Sequence, residues 1–389
     1  MHRSEIGHYD LTTVRSETVR AFVPMPLPPH PPLALDGALQ QLLESAVLAL
    51  GRLDGVSSIL PDQQLFLYTY VRKEAVLSSQ IEGTQSSLSD LLVLELEGTP
   101  AVPLDDVREV SNYVAALQHG LYLMRTSLPL SNRLLREIHR VLLSSGRGQH
   151  KMPGEFRRSQ NWIGGSRPGN AAFVPPPHTA LPDCMTEFER FLHAENDGLS
   201  VLLRAGLAHV QFETIHPFLD GNGRVGRLLI TLQLCHARLL REPLLYMSLY
   251  FKQHRTDYYD LLNHVRHTGD WEEWLAFFLE GVKQSAEGAV STADRLSGVF
   301  QDDHNRIQAT SGRRAGSVLR VHDALKKRPI LSLAETCRDT QLSFPTATAA
   351  MRWLVTQEIA QEITGRSRDR LFVYSRYLDI LNEGTEPIQ

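Results

Sequence analysis

The sequence predicts a mainly α-helical protein, and three observations carry this prediction. Apolar residues recur at helical spacing along most of the 389-residue chain. Residues 146–178 interrupt this pattern with glycines and prolines around two short apolar runs, which indicates a β-hairpin. Residues 309–316 are expected to be a linker by composition, and beyond them the pattern changes to short helices followed by two strands. We therefore expect a helical domain that carries a hairpin, followed by a smaller domain.

The composition is that of an ordinary globular protein and excludes several classes. Hydrophobic residues make up 42% and charged residues 22% of the chain. The formal net charge of −4 argues against nucleic-acid binding over the whole surface. Cys184, Cys235 and Cys337 are far apart, which fits a reducing compartment and gives no disulfide or zinc spacing. Without a long apolar run or a signal-peptide core, the sequence predicts a cytoplasmic protein with no membrane contact.

The N-terminal third is expected to begin as an irregular segment and to continue as two helices. Residues 1–36 include a proline-rich stretch, which indicates either an extended arm over the protein's own helices or a docking motif. The helices are predicted at 36–53 and 64–82, and Gly83 ends the second. Because Glu82 lies at the C-terminal end of a helix, its charge opposes the helix dipole. We therefore expect a cationic partner for Glu82 from elsewhere in the chain.

The middle of the chain is predicted to contain two further helices and the hairpin. The helices cover 107–123 and 132–143, and Ser131 is a suitable N-cap for the second. The hairpin at 146–178 is either an ordinary solvent-exposed hairpin or an edge that pairs with another chain. Three basic residues near it are expected to be solvated charges: Lys151, Arg157 and Arg158.

One stretch of twelve residues, 216–227, concentrates the chemistry of the chain. It reads His216-Pro217-Phe218-Leu219-Asp220-Gly221-Asn222-Gly223-Arg224-Val225-Gly226-Arg227. Helices are predicted on both sides of it, at 199–215 and 224–240. Pro217 disfavours helical geometry at His216, so the first helix should end there and leave the imidazole at its mouth. The glycines allow positive φ angles, and a loop of this kind before a helix N-terminus is an anion-binding device.

The polar residues of this stretch suit a nucleotide with a divalent cation. One carboxylate, Asp220, together with substrate phosphates is the usual way in which Mg²⁺ is held. Arg224 and Arg227 are suited to phosphate oxygens, and a histidine such as His216 suits a general base because the ordinary pKa of this residue type lies near neutral pH. A glycine-rich corner with surface arginines is the alternative interpretation. His209, seven residues earlier, is expected to be a hydrogen-bonded core residue rather than a metal ligand.

Residues 216–227 resemble the signature of the Fic family, HPFxDGNGRxxR, at every fixed position. The resemblance implies a Fic-type helical domain that transfers AMP from ATP to a Tyr, Thr or Ser hydroxyl of a target protein. It implies that His216 is the catalytic base and that Asp220 binds Mg²⁺. The nucleotide-binding residues would be Gly221, Asn222, Gly223, Arg224, Val225, Gly226, Arg227 and, in the adenine pocket, Tyr259.

A second resemblance concerns the end of the helix at 64–82. Ser78, Glu82 and Gly83 match the inhibitory motif of the same family, [S/T]xxxE[G/N]. The resemblance implies that Glu82 pairs with Arg227, blocks the γ-phosphate position and holds the protein inactive.

The hairpin resembles the Fic flap, which pairs with an extended segment of the target and aligns its acceptor side chain. The resemblance places three residues in this docking role: Trp162, Ile163 and Gly164.

The C-terminal region, predicted as three helices at 317–327, 332–340 and 346–358 and two strands within 363–374, resembles a winged helix–turn–helix. Residues 312–389 contain twelve Lys and Arg against nine Asp and Glu, a net charge of +3. Thr346 is expected to cap the third helix, which offers only Arg352 as a cation. The region either binds DNA or contacts protein, for example in a homodimer.

The expected domains are an arm with the inhibitory helix at 1–110, the Fic core at 111–305 and the winged helix–turn–helix at 316–389. The expected function is AMP transfer to a target protein and to the chain itself, with Mg²⁺ and ATP. Two alternatives are removal of AMP from a target and transfer of another phosphate-containing group. A third is a DNA-binding regulator whose Fic domain senses a nucleotide.

Overall fold

The computed structural model describes residues 1–14, 17–59, 63–96, 103–194, 197–366 and 368–386. Over these residues the chain is mainly helical with two small antiparallel sheets, which confirms the predicted class. The first half contains β1 Gly7–Val14, β2 Glu17–Pro24, α1 Gly37–Ile59, α2 Gln63–Ile81, α3 Leu88–Glu95, α4 Leu104–Thr126, α5 Asn132–Leu142 and α6 Leu181–His193. The second half contains α7 Val201–Ile215, α8 Asn222–His236, α9 Ser248–Gln253, α10 Arg255–Thr268, α11 Trp271–Thr310, α12 Ala315–Lys327, β3 Ile330–Ser332, α13 Leu333–Thr340, α14 Phe344–Thr356, β4 Ala360–Glu362, β5 Leu371–Tyr374 and α15 Ser375–Asn382.

The central pair of helices, α7 and α8, is enclosed on nearly all sides by the others. Every residue of α7 from Ala205 to Ile215 is buried, and so is nearly every residue of α8 up to Leu234. A helix that is covered all round has little freedom to shift, because interiors are close-packed. The turn between these two helices, residues 216–221, is therefore held in a fixed place. None of the helices described here is long and apolar enough to cross a membrane.

The expectation that residues 1–36 are irregular is wrong, because β1 and β2 form an antiparallel hairpin. Val19 and Ala21 point from β2 into a small apolar cluster with Val174. The N–H of Phe22 donates to the carbonyl of Val174 at 2.9 Å, which joins the hairpin to the flap region. The alternation of polar and apolar residues along β2 is short, and the proline-rich stretch that follows it made this strand pattern hard to recognise.

The proline-rich arm lies over the protein's own helices, as the first of its two interpretations predicts. Gln211 of α7 donates to the carbonyl of Met25 at 2.9 Å. Arg3 donates to the carbonyl of Pro31 at 2.7 Å and pairs with Glu272 of α11 at 2.7 Å. These contacts fix both ends of the arm against the helical core.

The expected linker at 309–316 is wrong, because α11 continues to Thr310 and α12 begins at Ala315 after one turn. Ile307 is fully buried, and Asp303 accepts hydrogen bonds from Tyr374 and Arg376 at 2.6 and 3.1 Å. Glycine and serine in this segment therefore mark a turn between packed helices. The domain limits 1–110, 111–305 and 316–389 stay predictions.

The C-terminal region contains the three predicted helices and, within 363–374, one of the two predicted strands, β5. The other strand, β4, lies before the predicted range at Ala360–Glu362, and β3 and α15 are further elements. Its sheet has the order β3-β5-β4 and is antiparallel. The N-cap of α14 is Ser343 rather than Thr346, since Phe344 and Pro345 already belong to the helix. Phe344 and Arg352 of α14 are exposed to solvent. A winged helix–turn–helix assignment, DNA binding and a homodimer stay predictions.

Candidate active site

The turn after α7 begins where the sequence predicts. The helix ends at Ile215, and His216 takes a left-handed conformation with φ +50° while its N–H donates to the carbonyl of Phe212 at 2.9 Å. Pro217 excludes the helical alternative at this position. The imidazole consequently leaves the helix axis at its C-terminal end, next to the loop 217–221.

Two buried arginines hold the end of α7. Arg157 donates to the carbonyls of His216 and Pro176 at 3.0 and 2.6 Å, and it is 2% exposed. The expectation that Arg157 is a solvated charge is therefore wrong. Arg266 donates to the carbonyl of Glu213 at 3.1 Å. Cations at a helix C-terminus satisfy its unpaired carbonyls and its dipole.

These surroundings keep the imidazole of His216 neutral. Burial, followed by the charges of Arg157 and Arg266, lowers the pKa of His216 to about 3. The Nδ1 atom lies 4.0 Å from Glu213 Oε2, which is contact rather than a hydrogen bond. Burial also raises the pKa of Glu213 to about 7. His216 is thus a deprotonated ring near neutral pH, which is the form that accepts a proton.

The loop that follows is fixed from within. Asn222 closes it, since its side chain accepts from the N–H of Phe218 at 2.8 Å and donates to the carbonyl of the same residue at 2.9 Å. The Phe218 ring is fully buried and stacks on His139 with centroids 3.7 Å apart. Phe218 is therefore the apolar anchor of the loop, and the Asn222 side chain is occupied by the loop itself.

His139 of α5 joins the loop to the segment around Gly154. Its Nδ1 accepts from the N–H of Gly154 at 2.8 Å, so its Nε2 carries the hydrogen and donates to the carbonyl of Asp220 at 3.0 Å. Burial lowers the pKa of His139 to about 4, which agrees with a neutral ring in this tautomer. His139 is a positioning residue for the loop.

The N-terminus of α8 faces the loop with unpaired backbone donors. Gly221 is the N-cap with φ +78°, and the N–H of Val225 is the first to bond back, to the carbonyl of Gly221 at 3.0 Å. The preceding N–H groups of Asn222, Gly223 and Arg224 have no acceptor among the described residues. This is the arrangement that binds anions.

The helix begins two residues earlier than the sequence predicts, so Gly223 does not use glycine's positive φ. A Cβ at Gly223 would overlap Oε1 of Glu82, which explains why glycine is needed there. Gly226 is packed in the same way, because a Cβ on it would overlap Oε1 of Glu213. The Val225 side chain is fully buried in the core.

Asp220 lies in the loop with Arg224 behind it. Its Oδ1 accepts from the N–H of Gly221 at 2.6 Å and lies 3.4 Å from Arg224 Nη2, while Oδ2 has no donor among the described residues. The carboxylate is one-third exposed. The buried Arg224 also pairs with the buried Glu109 at 2.8 Å, and Glu109 pairs in turn with Arg147 at 3.1 Å. One carboxylate with a free oxygen beside unpaired N–H groups fits Mg²⁺ held jointly with phosphates.

Arg227 on α8 is bound to the end of α2. It donates to Glu82 Oε1 at 2.7 Å, to Ser78 Oγ at 2.8 Å and to the Ser78 carbonyl at 2.9 Å. Burial opposes ionisation of Glu82, but the charge and hydrogen bond of Arg227 hold its pKa below the ordinary value. Gly83 follows with φ +96° and ends the helix. We call Ser78, Glu82 and Arg227 the clamp.

The remaining predicted residues surround this centre. Ile163 and Phe173 form one antiparallel bridge with hydrogen bonds of 2.8 and 3.1 Å, so the predicted hairpin is shorter than two full strands. Trp162 is half-buried beside Val19, and Gly164 turns the chain with φ +68°. Tyr259 is 36% exposed on α10, and burial, followed by the charge of Glu82, raises its pKa to about 12.

His209 is a core residue, as predicted. Its Nε2 accepts from Tyr258 at 2.8 Å and its Nδ1 donates to the carbonyl of Gly226 at 3.0 Å.

Three positioning residues were not found from the sequence: Glu109, His139 and Arg266. Each is a polar residue on an otherwise amphipathic helix, and its burial depends on contacts from distant parts of the chain. The sequence did contain one indication of such a buried polar residue, since His139 lies within the apolar stripe of α5.

Two family models match the chain. The model for the Fic/DOC family N-terminal region matches residues 40–122, and the model for the Fic/DOC family matches residues 129–234. A Protein adenylyltransferase Fic of Culex quinquefasciatus is 33% identical over 222 residues, and one of Aedes aegypti is 32% identical over 225 residues. Each match covers 56% of this chain and 41% of the relative, so the chain spans about two-fifths of their length.

A solved structure extends the likeness beyond these segments. A Fic family protein from Desulfovibrio desulfuricans G20 superimposes with a TM-score of 0.58 at 21% identity. The superposition covers 89% of this chain and 98% of the other, so the two share a fold. Residues 40–122 therefore match the N-terminal region of the Fic/DOC family, and residues 129–234, which include the complete signature at 216–227, are a Fic/DOC domain.

Proposed function

We propose that the chain is a protein adenylyltransferase, which moves AMP from ATP to a hydroxyl of a target protein, and that Glu82 holds it inactive. The observation that carries the proposal is the juxtaposition of a neutral imidazole, His216, with the three unpaired N–H groups that begin α8. The relatives named Protein adenylyltransferase Fic support the same reaction.

Contacts between its phosphates and the start of α8 are proposed to position the nucleotide. Phosphate oxygens accept from the N–H groups of Asn222, Gly223 and Arg224, and the dipole of α8 favours their charge. Arg227, once it leaves the clamp, adds a planar cation to the phosphate tail. Asp220 would hold Mg²⁺ through Oδ2. When bound there, the ion neutralises phosphate charge. Tyr259 on α10 is the proposed wall of the adenine pocket.

The transfer step needs a proton acceptor and an in-line nucleophile. His216 takes the proton of a target Tyr, Thr or Ser hydroxyl, and the hydroxyl oxygen attacks the α-phosphorus. The new P–O bond forms as the bond to the β-phosphate oxygen breaks, and pyrophosphate leaves. Because positioning and charge stabilisation account for most of phosphoryl-transfer catalysis, the fixed loop between α7 and α8 supports this assignment.

The acceptor segment of the target is proposed to lie along the flap. Trp162, Ile163 and Gly164 lie on the side of the flap that is bridged to Phe173 through Ile163. An extended peptide can bind the edge of such a strand through main-chain hydrogen bonds. On the opposite side, the bond from Phe22 to Val174 holds the flap against the N-terminal hairpin. The flap is thereby stiffened before a target arrives.

The inhibition is proposed to act through the position of Glu82. Its carboxylate lies against Gly223 and Arg227, where the phosphate tail of a productive nucleotide would lie. A carboxylate and a phosphate repel each other there, and Arg227 cannot serve both. The clamp therefore favours the form without productively bound ATP.

The proposal is tested by incubating purified Glu82→Gly protein with α-labelled ATP and a cell lysate, with Glu82→Gly/His216→Ala as the matched control. We expect labelled protein, including the chain itself, with the first variant and none with the second. Equal labelling by both would overturn the base assignment. Mass spectrometry of the product separates AMP from any other phosphate-containing group, and loss of AMP from a pre-modified target would identify the reverse reaction.

A further inference from the structure

A second cavity lies beside α2, away from the turn at 216–221. It has a volume of about 300 Å³ and is enclosed by α2, α9, α11 and the residues after α15. Tyr70, Lys73 and Leu77 form its wall on α2, a helical stripe next to the one that carries Ser78 and Glu82. Cavities of this size are at the lower end of those that hold small ligands.

Two cations contact Glu383 at the edge of this cavity, one at its main-chain carbonyl and one at its carboxylate. Lys73 is 7% exposed, and its Nζ donates to the main-chain carbonyl of Glu383 at 2.8 Å. Arg295 of α11 donates to both carboxylate oxygens of Glu383, at 2.6 and 2.7 Å. Burial lowers the pKa of Lys73 to about 8, against the opposing charges of Glu383 and Glu386. Among the described residues, the buried ammonium group of Lys73 thus has carbonyl oxygen as its hydrogen-bond partner, while the Glu383 carboxylate is bound by Arg295.

The walls of the cavity are partly aromatic. Tyr246, which is 6% exposed, contributes to the wall, while its hydroxyl is buried in the interior of the protein. Tyr250 adds an aromatic wall, and beside Gly288 the space is open, since a Cβ there would meet no atom within 4 Å.

We propose that this cavity is a binding site for a small organic anion with an apolar or aromatic body. Its phosphate or carboxylate head would bind Arg295 in place of the Glu383 carboxylate, and would accept a hydrogen bond from Lys73 in place of the Glu383 carbonyl. The side chain of Glu383 is 56% exposed, so it can turn into solvent when the anion enters. Glu383 is therefore the built-in competitor of the ligand.

Occupancy of this site is coupled to the clamp through the segment Asn382–Glu386, which we call the tail. Gln80, two residues before Glu82, donates to the carbonyl of Thr385 at 2.8 Å. Lys73, on the same helix, is held by Glu383. An anion that displaces Glu383 releases the tail from α2 and weakens the hold on Glu82. This coupling rests on the proposed function, whereas binding itself does not.

The binding test is isothermal titration calorimetry of the full chain with phenyl phosphate and, separately, benzoate. We expect saturable binding of at least one probe, tightened several-fold by Glu383→Gln because the competitor is lost. Arg295→Gln should weaken binding by about tenfold or more, as expected for a bidentate charge-assisted contact. Arg241→Gln, which breaks a comparable pair with Asp54, should leave binding unchanged.

Two results decide the inference. If neither probe binds wild type or Glu383→Gln at millimolar concentrations, or if Arg295→Gln binds as wild type does, the site is refuted. The comparison with Arg295→Gln also distinguishes binding in this cavity from binding of phenyl phosphate at the start of α8, which this substitution should not affect. If a bound probe leaves labelling by wild type unchanged while Glu82→Gly labels strongly, the coupling is refuted and the proposed function stands.

Discussion

Arg227 Nη2 and Glu82 Oε1 form an ion pair of 2.7 Å, although the two residues are 145 positions apart in sequence. The Arg227 side chain is 1% exposed, and its Nε and Nη2 atoms donate to Ser78 and Glu82. The guanidinium that we propose as a phosphate ligand is thus held by the end of α2 through two of its three nitrogens.

The first prediction is that Glu82→Gly increases AMP transfer by about tenfold or more, because losing a stabilisation of ~1.4 kcal/mol shifts an equilibrium tenfold. Glu82→Gln, which keeps the size but removes the charge, should give an intermediate rate. Initial rates with α-labelled ATP measure both. Wild type and Glu82→Gly labelling at the same rate would show that Glu82 does not inhibit.

The second prediction separates the two neighbouring serines of α2. Ser78→Ala removes the hydroxyl that accepts from Arg227 Nε at 2.8 Å, so it should loosen the clamp and raise transfer several-fold, less than Glu82→Gly does. Ser79→Ala is the matched control, since the Ser79 hydroxyl is buried without a partner among the described residues. A larger effect from Ser79→Ala would contradict the role of Ser78.

The third prediction concerns pH. A base with a lowered pKa remains deprotonated to lower pH, and burial with Arg157 and Arg266 lowers that of His216 to about 3. The transfer rate of Glu82→Gly should therefore show no acid limb near pH 6.5, the ordinary value for histidine. Rates from pH 5 to 8 under saturating ATP measure this. Arg157→Gln should move the limb upward, and a wild-type-like limb at pH 6.5 would contradict the environment described here.

The local geometry of the site could be predicted from sequence to a considerable extent. The end of α7 at His216 follows from Pro217, and the glycine stop after Glu82 follows from Gly83. The misplaced charge of Glu82 at a helix C-terminus predicted a distant cation, and the structure places Arg227 there. In each case a short-range rule acts on neighbouring residues.

What the sequence did not predict depends on contacts between distant segments. Arg157 was expected in solvent, but four carbonyls from three segments surround it. The short alternation along β2 was a weak signal by itself, and the contact that holds this strand on the core, from Phe22 to Val174, spans 152 residues of sequence. The expected linker at 309–316 was wrong because burial of Ile307 against the C-terminal region keeps α11 helical. Composition alone carries no information on such burial.

The last prediction tests whether His139 positions the loop. His139→Phe keeps an aromatic ring against Phe218 but removes the partners of the Asp220 carbonyl and the Gly154 N–H. Two buried groups left unpaired should lower the free energy of unfolding by ~2–4 kcal/mol. In the Glu82→Gly background, ATP affinity should also fall, because the carbonyl that fixes Asp220 becomes free to move.

His193→Phe is the control, since it removes a similar histidine–carbonyl bond, to Leu130 at 2.6 Å, on the far helix α6. It should lower stability in urea unfolding without changing ATP binding by calorimetry. If His139→Phe and His193→Phe lower stability alike and both bind ATP as their parent does, His139 supports the fold alone, and the loop keeps its geometry without it.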